Sequence, residues 1–456
     1  MKKYKGNKKM ENNNNFDIKN IKIAFLTLGC KVNSYETEAM QALFVEAGAK
    51  LVEFSELADI YVVNTCSVTN MADRKSRQML HRAKKKNPNA IVVAAGCYAQ
   101  TADEMAMKET GIDIVIGNNQ KKKIVEIISS HMAGIENRRL EIGKETEYED
   151  LSLATQVEHT RAYIKIQDGC NQFCSYCIIP YARGRIRSRR EEDILLEVNR
   201  LAKAGYKEIV LTGIHLSSYG RPTEEGREPL LELIEKLNAI EGIERIRLGS
   251  LEPRIMTENF VRTLCTYKKV CPHFHLSLQS GSDSVLKRMN RKYTTKEYAD
   301  SVELLKKYYD APAITTDIIV GFPQETEEEF LETLDFVKQI GFSKIHVFKY
   351  SRRKGTVADK MQGQVPEQVK TERSDRLMTL EAQLGENYRR QFLGSLQQVL
   401  FEERVVVDGQ ICQIGYNERY IRIAMKTEQE LSNHIKEVMI TQCAKEQETL
   451  FAIENS

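Results

Sequence analysis

The sequence predicts an α/β protein in three parts: an N-terminal doubly wound parallel sheet, a central partial (β/α)6 barrel and a small C-terminal β-barrel. Three observations predict it. Three short apolar runs near the N-terminus each end in a cysteine, IKIAFLTLGC at Cys30, DIYVVNTCSVT at Cys66 and AIVVAAGCYAQ at Cys97. From about residue 160 a strand-then-helix alternation repeats six times, and beyond residue 391 the pattern changes to short strands separated by turns.

With 456 residues the chain exceeds one ordinary core, so two or three domains are expected. Residues 1–20 are rich in Lys and Asn and lack both the apolar stretch of a secretory signal and the Arg/Ser pattern of a transit peptide. They are expected to be a disordered leader of a cytoplasmic protein, with no membrane-spanning segment. Ten cysteines in a reducing compartment point to metal binding or catalysis rather than to disulfides. The net charge of +3 is too small for a field over the whole molecule, so affinity for nucleic acid must come from local basic patches. Trp is absent, which leaves Tyr, Phe and His as stacking groups.

Residues 21–158 form the predicted N-terminal domain. The three apolar runs read as buried parallel strands, YETEAMQALFVEAG and DRKSRQMLHRAKKK as the helices between them, and DIVIGNN as a further strand. In a doubly wound sheet the carboxyl ends of the strands share one edge, so Cys30, Cys66 and Cys97 can meet there. Residues 130–158 are charged and aperiodic, and are expected to be a linker.

Residues 159–390 form the predicted partial barrel. Its six strands are AYIKIQDGC, EIVLTGIHL, RIRLGSLEP, HFHLSLQSG, TTDIIVGFP and KIHVFKYS, separated by helices such as EEDILLEVNRLAKAG and EEEFLETLDFVKQIG. The site of such a fold lies at the strand carboxyl ends. A long helical stretch over 366–390 leads into residues 391–456, where LQQVLFEERVV, QICQIGY, RYIRIAM and HIKEVMITQC read as strands of a small barrel.

Just after the first barrel strand stands DGCNQFCSYCIIPYARGRIRSR, with Cys170, Cys174 and Cys177 in CxxxCxxC spacing. Three thiolates have two readings. Structural zinc takes four ligands, and no fourth cysteine or histidine lies nearby in sequence; a four-iron cluster on three thiolates keeps one iron open for a ligand. Cys30, Cys66 and Cys97, at equivalent strand ends, form a second candidate triplet, set against the alternative of buried packing cysteines. Cys265, Cys271, Cys412 and Cys443 match no cluster pattern and are assigned to packing.

CxxxCxxC after the first strand of a six-unit barrel resembles the radical S-adenosylmethionine (radical SAM) superfamily. An N-terminal domain with three strand-end cysteines, that barrel and a C-terminal β-barrel of the kind called TRAM together resemble the methylthiotransferases. NTCSVTNMADRKSRQ and GCNQFCSYCIIPYARGRIRSR are most similar to the branch acting on threonylcarbamoyladenosine beside the tRNA anticodon. The resemblance implies two 4Fe-4S clusters, one on Cys170, Cys174 and Cys177 and one on Cys30, Cys66 and Cys97. It implies two molecules of S-adenosylmethionine per turnover, one as methyl donor and one as radical source, with tRNA and an electron donor as partners.

The resemblance also implies a cofactor shell. Tyr176 matches the family's aromatic position near the adenine, with loop packing as the alternative. Gly213 in LTGIHLSSYG stands where backbone meets the methionine amino group, or simply ends a strand. Ser277 and Gln279 in HLSLQSGSD fall on one face of the fourth strand by period two, and can meet a ribose or carboxylate or line the barrel. Asp317 and Gly321 in TTDIIVGFPQET correspond to a region flanking the nucleoside; Asp317 meets a hydroxyl or is paired with an Arg.

Arg183, Arg185, Arg187, Arg189 and Arg190 follow the triplet and are expected to grip RNA phosphate or the threonyl carboxylate, against the bland reading of a solvated run. Arg74 to Lys86 supply a second basic helix. Residues 391–456 carry ten acidic and six basic residues, so RNA contact there would rely on a local patch or on stacking through Tyr416 and Tyr420. The expected function is methylthiolation at carbon 2 of threonylcarbamoyladenosine in tRNA. The alternatives are the same chemistry on isopentenyladenosine tRNA or a ribosomal-protein aspartate, or a zinc-stabilised RNA-binding protein without catalysis.

Overall fold

The computed structural model describes residues 18–102, 111–135, 147–151, 160–222, 227–445 and 448–455. The expected leader up to residue 17, residues 136–146 and 152–158 of the expected linker, and residue 159 lie outside the described residues. Residues 147–151 of that linker are docked, with Leu151 buried and the Tyr148 hydroxyl donating to the Lys165 carbonyl at 2.8 Å.

The N-terminal sheet has five parallel strands: β1 (Lys22–Thr27), β2 (Lys50–Val52), β3 (Ile60–Thr65), β4 (Ile91–Ala95) and β5 (Ile114–Ile116), in the order β2-β1-β3-β4-β5. Alternate residues feed opposite cores. Tyr61, Val63 and Ala94 pack with Leu80 of α2 (Asn70–Lys86), while Ile60, Val62 and Val93 pack with Met40 and Phe44 of α1 (Lys31–Glu46) and Ile128 of α4 (Ile124–Met132). Burial on both faces explains why these strands read as continuous apolar runs. The direction in which successive strands are added reverses between β1 and β3, the switch point at which α/β sheets open a crevice. Cys97 lies on the short α3 (Gly96–Thr101).

The central part contains the six expected parallel strands: β6 (Arg161–Asp168), β8 (Glu208–Gly213), β9 (Arg245–Leu248), β10 (His273–His275), β11 (Ala313–Val320) and β12 (Lys344–Lys349). They form two sheets, β7-β6-β8-β9 and β10-β11-β12, joined through single bridges at Ile246–Val270 and Leu251–Leu276. The short antiparallel β7 (Arg187–Ser188) comes from the arginine-rich segment. Ile164, Ile209, Ile246, Phe274, Ile318 and Ile345 face one apolar core beneath the surrounding helices, so their neighbours in sequence turn to the concave side.

After a helix over Glu367–Arg390 the chain closes a barrel from β13 (Leu396–Val407), β14 (Gln410–Asn417), β15 (Arg422–Met425), β16 (Ile435–Cys443) and β17 (Thr449–Glu454), in the order β13-β14-β15-β17-β16. This barrel sits on the N-terminal ends of the central strands. Arg245 donates to the carbonyls of Tyr416 (2.9 Å) and Gln398 (2.8 Å), Arg247 to that of Glu418 (2.9 Å), and Arg161 to the Tyr420 hydroxyl (2.7 Å). Tyr416 and Tyr420 stack on each other at 4.8 Å and cover Arg161. The expectation that they stack on RNA bases is therefore corrected: their ring faces are taken up by each other and by the arginines of the seam.

Candidate functional site

The N-terminal thiols meet at one sheet edge. Cys30 caps the start of α1 three residues beyond β1, Cys66 directly follows β3 and Cys97 follows β4, and these three strands are neighbours. Asn33 Nδ2 donates to the carbonyls of Leu28 (2.6 Å) and Thr65 (3.1 Å), tying the Cys30 loop to the Cys66 loop. The Thr65 hydroxyl accepts from the Ala99 amide at 3.1 Å and ties in the Cys97 helix. Gly29, at φ +105°, is required here, since a Cβ would lie 2.9 Å from Cys66 Sγ. Cys66 and Cys97 are buried, whereas Cys30 is open to water. Burial pushes the Cys66 thiol up to about 11.

Cys170, Cys174 and Cys177 occupy the loop after β6. Gly169, at φ +72°, allows the returning arginine segment to close over that loop, because a Cβ would come within 1.8 Å of the Arg185 carbonyl. The Cys170 amide donates to the Gly184 carbonyl (3.1 Å), and the Gln172 amide to Cys170 Sγ (3.4 Å). Arg291 donates from Nη1 to Cys174 Sγ (3.3 Å) and from Nε to the Tyr293 hydroxyl (2.9 Å). Burial pushes the Cys170 thiol to about 11 and that of Cys177 to about 12.

All six thiols are free of disulfides. Among the described residues, the trio of ligating groups whose atoms all lie within 4.8 Å of one another is His275, Asp317 and His346, and neither cysteine triplet is that tight. A backbone amide and two guanidinium groups directed at the sulfurs suit thiolate charge.

Arg183 joins the two thiol sets. It is fully buried, and donates to Glu36 Oε1 (2.8 Å), Asp168 Oδ1 (3.2 Å), Asn33 Oδ1 (2.8 Å) and Cys97 Sγ (3.3 Å), while the next carbonyl, Gly184, accepts from Cys170. Although burial opposes it, Arg183, Lys121 and Lys165 hold the Glu36 carboxyl well below the usual range. Arg187 donates to the Arg183 carbonyl at 2.9 Å, and Arg189 pairs with Glu197 and with Asp150. The expected grip of the whole arginine run on RNA is thus corrected: Arg183, Arg187 and Arg189 neutralise buried carboxylates. Arg185 remains exposed, with its guanidinium 4.6 Å from the Phe173 ring centre, and Arg190 is exposed beside Asp193.

Tyr176 packs against the group of Phe322, Tyr350 and Met289. Gly213 makes room for Gln167, whose Oε1 would be 2.9 Å from its Cβ; Gln167 in turn donates to the carbonyls of Asp168 and Gly169 at 2.8 Å and props the cysteine loop. Ser277 and Gln279 follow β10, which stops at His275; Phe274, Leu276 and Leu278 enter the central core, so Ser277 lies on the opposite face, and Gln279 takes φ +73° at its bridge to Ile318 of β11. Asp317 has no Arg beside it among the described residues; its partner is His275, Nε2 to Oδ2 at 3.4 Å, with His275 Nδ1 held by the Thr315 hydroxyl at 3.0 Å. Gly321, at φ +71°, donates to Glu325 Oε1 (2.9 Å), and a Cβ there would lie 2.3 Å from Lys370 Cγ.

The motifs did not single out His215, Glu252 or Arg291. His215 Nε2 and Glu252 Oε2 stand 3.5 Å apart, each with Gln172 at 3.5 Å. Both follow the carboxyl ends of β8 and β9, so the rule that placed the cysteines could have found them. Arg291 lies between strands with no local pattern, and only the folded chain brings it to Cys174.

Two family models match, the radical SAM superfamily over residues 164–337 and uncharacterized protein family UPF0004 over residues 22–117. The chain is 43% identical to threonylcarbamoyladenosine tRNA methylthiotransferase MtaB of Bacillus subtilis (strain 168), over 92% of this chain and 93% of that protein. It is 40% identical to the MtaB of Aquifex aeolicus (strain VF5), over 87% of this chain and 98% of that one. It is 37% identical to tRNA-2-methylthio-N(6)-dimethylallyladenosine synthase of Finegoldia magna (strain ATCC 29328 / DSM 20472 / WAL 2508), over 83% of each chain. In fold it is similar to the radical S-adenosylmethionine methyltransferase TsrM from Kitasatospora setae, with a TM-score of 0.56 at 13% identity over 74% of this chain and 77% of that one. The chain belongs to the radical S-adenosylmethionine methylthiotransferase family, on the branch of the threonylcarbamoyladenosine tRNA methylthiotransferases.

Proposed function

We infer that the protein converts N6-threonylcarbamoyladenosine beside the tRNA anticodon to its 2-methylthio derivative. The observation that carries this reading is the pair of thiol triplets at adjoining strand-end edges, linked through Arg183 and Gly184. Cys170, Cys174 and Cys177 would hold one 4Fe-4S cluster, and Cys30, Cys66 and Cys97 the other. When bound, the first cluster with S-adenosylmethionine supplies a carbon radical, the reagent needed for a ring carbon–hydrogen bond that no side-chain base can ionise.

The chain's own groups then bind and orient. Gln172 and Arg291 direct N–H groups at the barrel thiols, Gln167 fixes the loop that carries them, and Arg183 keeps the two edges in register. Tyr176, Gly213, Ser277, Gln279, Asp317 and Gly321 are the residues that would line the S-adenosylmethionine site. Arg185, with the exposed Arg74, Lys75, Arg82 and Lys85 of α2, offers cations to the tRNA backbone. The reading requires a low-potential electron donor and a tRNA-containing, reducing compartment, the cytoplasm. In keeping with it, no helix among the described residues is long and apolar enough to cross a membrane.

The test is mass spectrometry of tRNA nucleosides from a strain with and without the gene. Loss of the 2-methylthio derivative with accumulation of threonylcarbamoyladenosine supports the reading. Loss of the 2-methylthio derivative of dimethylallyladenosine instead would overturn it.

A further inference from the structure

The concave face of the central strands is polar where a closed barrel would be filled with branched apolar side chains. Its cations are balanced within the chain. On β6, β8 and β9, Arg161, Arg245 and Arg247 surround Glu208, and Lys165 pairs with Glu36 (2.8 Å) and Asp168 (2.7 Å). On β12, Lys344 meets Glu381 and Glu448.

A set of the opposite kind stands on β10, β11 and β12. Phe274, Ile318 and Ile345 enter the central core, so their neighbours His275, Asp317 and His346 turn to the concave side. Strand register puts His275 opposite Thr315 and Asp317 opposite His346. One ligating atom from each of the three side chains lies within 4.8 Å of the other two, and the two imidazole ring centres are 5.9 Å apart. His275 Nε2 and Asp317 Oδ2 are separated by 3.4 Å. That is long for a hydrogen bond, and it matches the roughly 3.3–3.5 Å between two ligands held at about 2.0–2.1 Å by one tetrahedral zinc ion. The exposed His346 has room to close the remaining separation.

The surroundings of the trio suit a cation. The Thr315 hydroxyl holds His275 Nδ1 at 3.0 Å and leaves Nε2 toward Asp317, the outer hydrogen bond by which a ligating histidine is oriented. Among the described residues no Lys or Arg pairs with Asp317, and nothing donates a hydrogen bond to its carboxylate. Two imidazoles and a carboxylate are the donor set of zinc sites that keep a position open, since a closed structural site takes a fourth protein ligand. We propose that His275, Asp317 and His346 bind a divalent metal ion of the zinc class, at a site separate from both thiol triplets. Its open position faces the concave side and takes water or an anionic oxygen of a molecule bound there. Asp317 ligates through Oδ2, which leaves Oδ1 for a hydroxyl of a neighbouring cofactor. The site does not depend on the substrate reading given above, because its test reads metal rather than methylthiolation.

The test uses full-length protein with both clusters reconstituted anaerobically. One equivalent of Zn2+ is added per chain, unbound metal is removed by desalting, and zinc, iron and sulfide are measured. The wild type is expected to keep one zinc per chain with its iron unchanged. Zinc K-edge X-ray absorption should show nitrogen and oxygen neighbours at about 2.0–2.1 Å, the outer-shell pattern of imidazole, and no sulfur at about 2.3 Å. Asp317→Ala and His346→Ala should each lose the zinc on desalting while keeping the iron. Thr315→Val, which removes only the outer hydrogen bond, should weaken zinc binding about 10- to 100-fold in competition with a fluorescent chelator. A wild type that keeps no zinc overturns the proposal, as does zinc with sulfur neighbours, which would sit on cysteines, or zinc retained unchanged by Asp317→Ala. If one variant fails to fold or loses iron, the wild-type absorption spectrum and the other variant decide.

Discussion

Replacing Arg183 by Met is expected to loosen the joint between the N-terminal sheet and the central strands without altering the electrostatics of tRNA binding. Arg183 is wholly buried, and its removal deprives Glu36 and Asp168 of a cation and Asn33 of a donor. Breaking a buried pair by deleting one partner costs about 3–5 kcal/mol when the other charge is left alone. Here Glu36 keeps Lys121 and Lys165, each at 2.8 Å, and Asp168 keeps Lys165 at 2.7 Å and Arg187 at 3.7 Å. The loss should therefore fall at the low end, about 3 kcal/mol, or roughly a hundredfold in the folding equilibrium. Arg183→Lys keeps the charge but not the fork that spans Glu36, Asn33 and Cys97, and should cost about 1–2 kcal/mol. Urea unfolding followed by far-UV circular dichroism measures both, and tRNA binding at several salt concentrations is the second readout. If Arg183→Met loses under about 0.5 kcal/mol, the scale of an exposed ion pair, and flattens the salt dependence of tRNA binding, the side chain faces RNA and the reasoning fails.

The other expectations concern separate parts of the molecule. Arg185→Ala should flatten the slope of log affinity for tRNA against log salt by ~0.7 to 0.9, one phosphate contact, because this arginine is exposed at the cysteine loop; an unchanged slope would return it to the solvated surface. Replacing Cys30, Cys66 and Cys97 by Ala should abolish methylthiolation yet leave reductive cleavage of S-adenosylmethionine; loss of cleavage in a folded variant with half the wild-type iron would reverse the division of labour. Although burial opposes ionisation of Glu208, its arginines hold its pKa below the usual value, so its contribution to stability is present above about pH 4.3 and is lost as pH falls further. Glu208→Gln should remove that acid-range slope from the unfolding curve, and an identical slope would assign it to other carboxylates. Gly169→Ala should prevent the cysteine loop from closing, since its Cβ would meet the Arg185 carbonyl at 1.8 Å, and iron content after reconstitution reports it.

Most of the fold was legible because its signals are local. The apolar strands of the N-terminal sheet and the six strand–helix repeats follow from periodicity, and strand-end cysteines follow from the parallel arrangement. The site was legible where a motif marks it and failed where side chains meet across the chain. Glu36 looks like a surface residue of an amphipathic helix, yet it lies at 0% exposure among Arg183, Lys121 and Lys165. Without that carboxylate in view, RGRIRSR reads as a cationic loop. Gln279 takes a left-handed conformation that the sequence does not mark.

Both seams of this protein use the same device, one buried carboxylate surrounded by cations from another segment. Glu36 of α1 meets Lys165 of β6 and Arg183 of the arginine segment, which fixes the N-terminal sheet against the central strands. Glu208 at the start of β8 orients Arg245 and Arg247, whose remaining N–H groups bind carbonyls of the C-terminal barrel. A desolvated carboxylate is unfavourable unless its partners are in place, so each hub favours one docking geometry over alternatives in which a charge is left unpaired. The arrangement removes many arginines from the surface. With a net charge of only +3 and an acidic C-terminal barrel seated at the strand N-termini, tRNA attraction must concentrate on the exposed cations near the thiol edges, Arg185 and those of α2. The charge that holds the domains together and the charge that meets the substrate are therefore carried by different residues, even where they alternate along a single segment such as Arg183, Arg185 and Arg187.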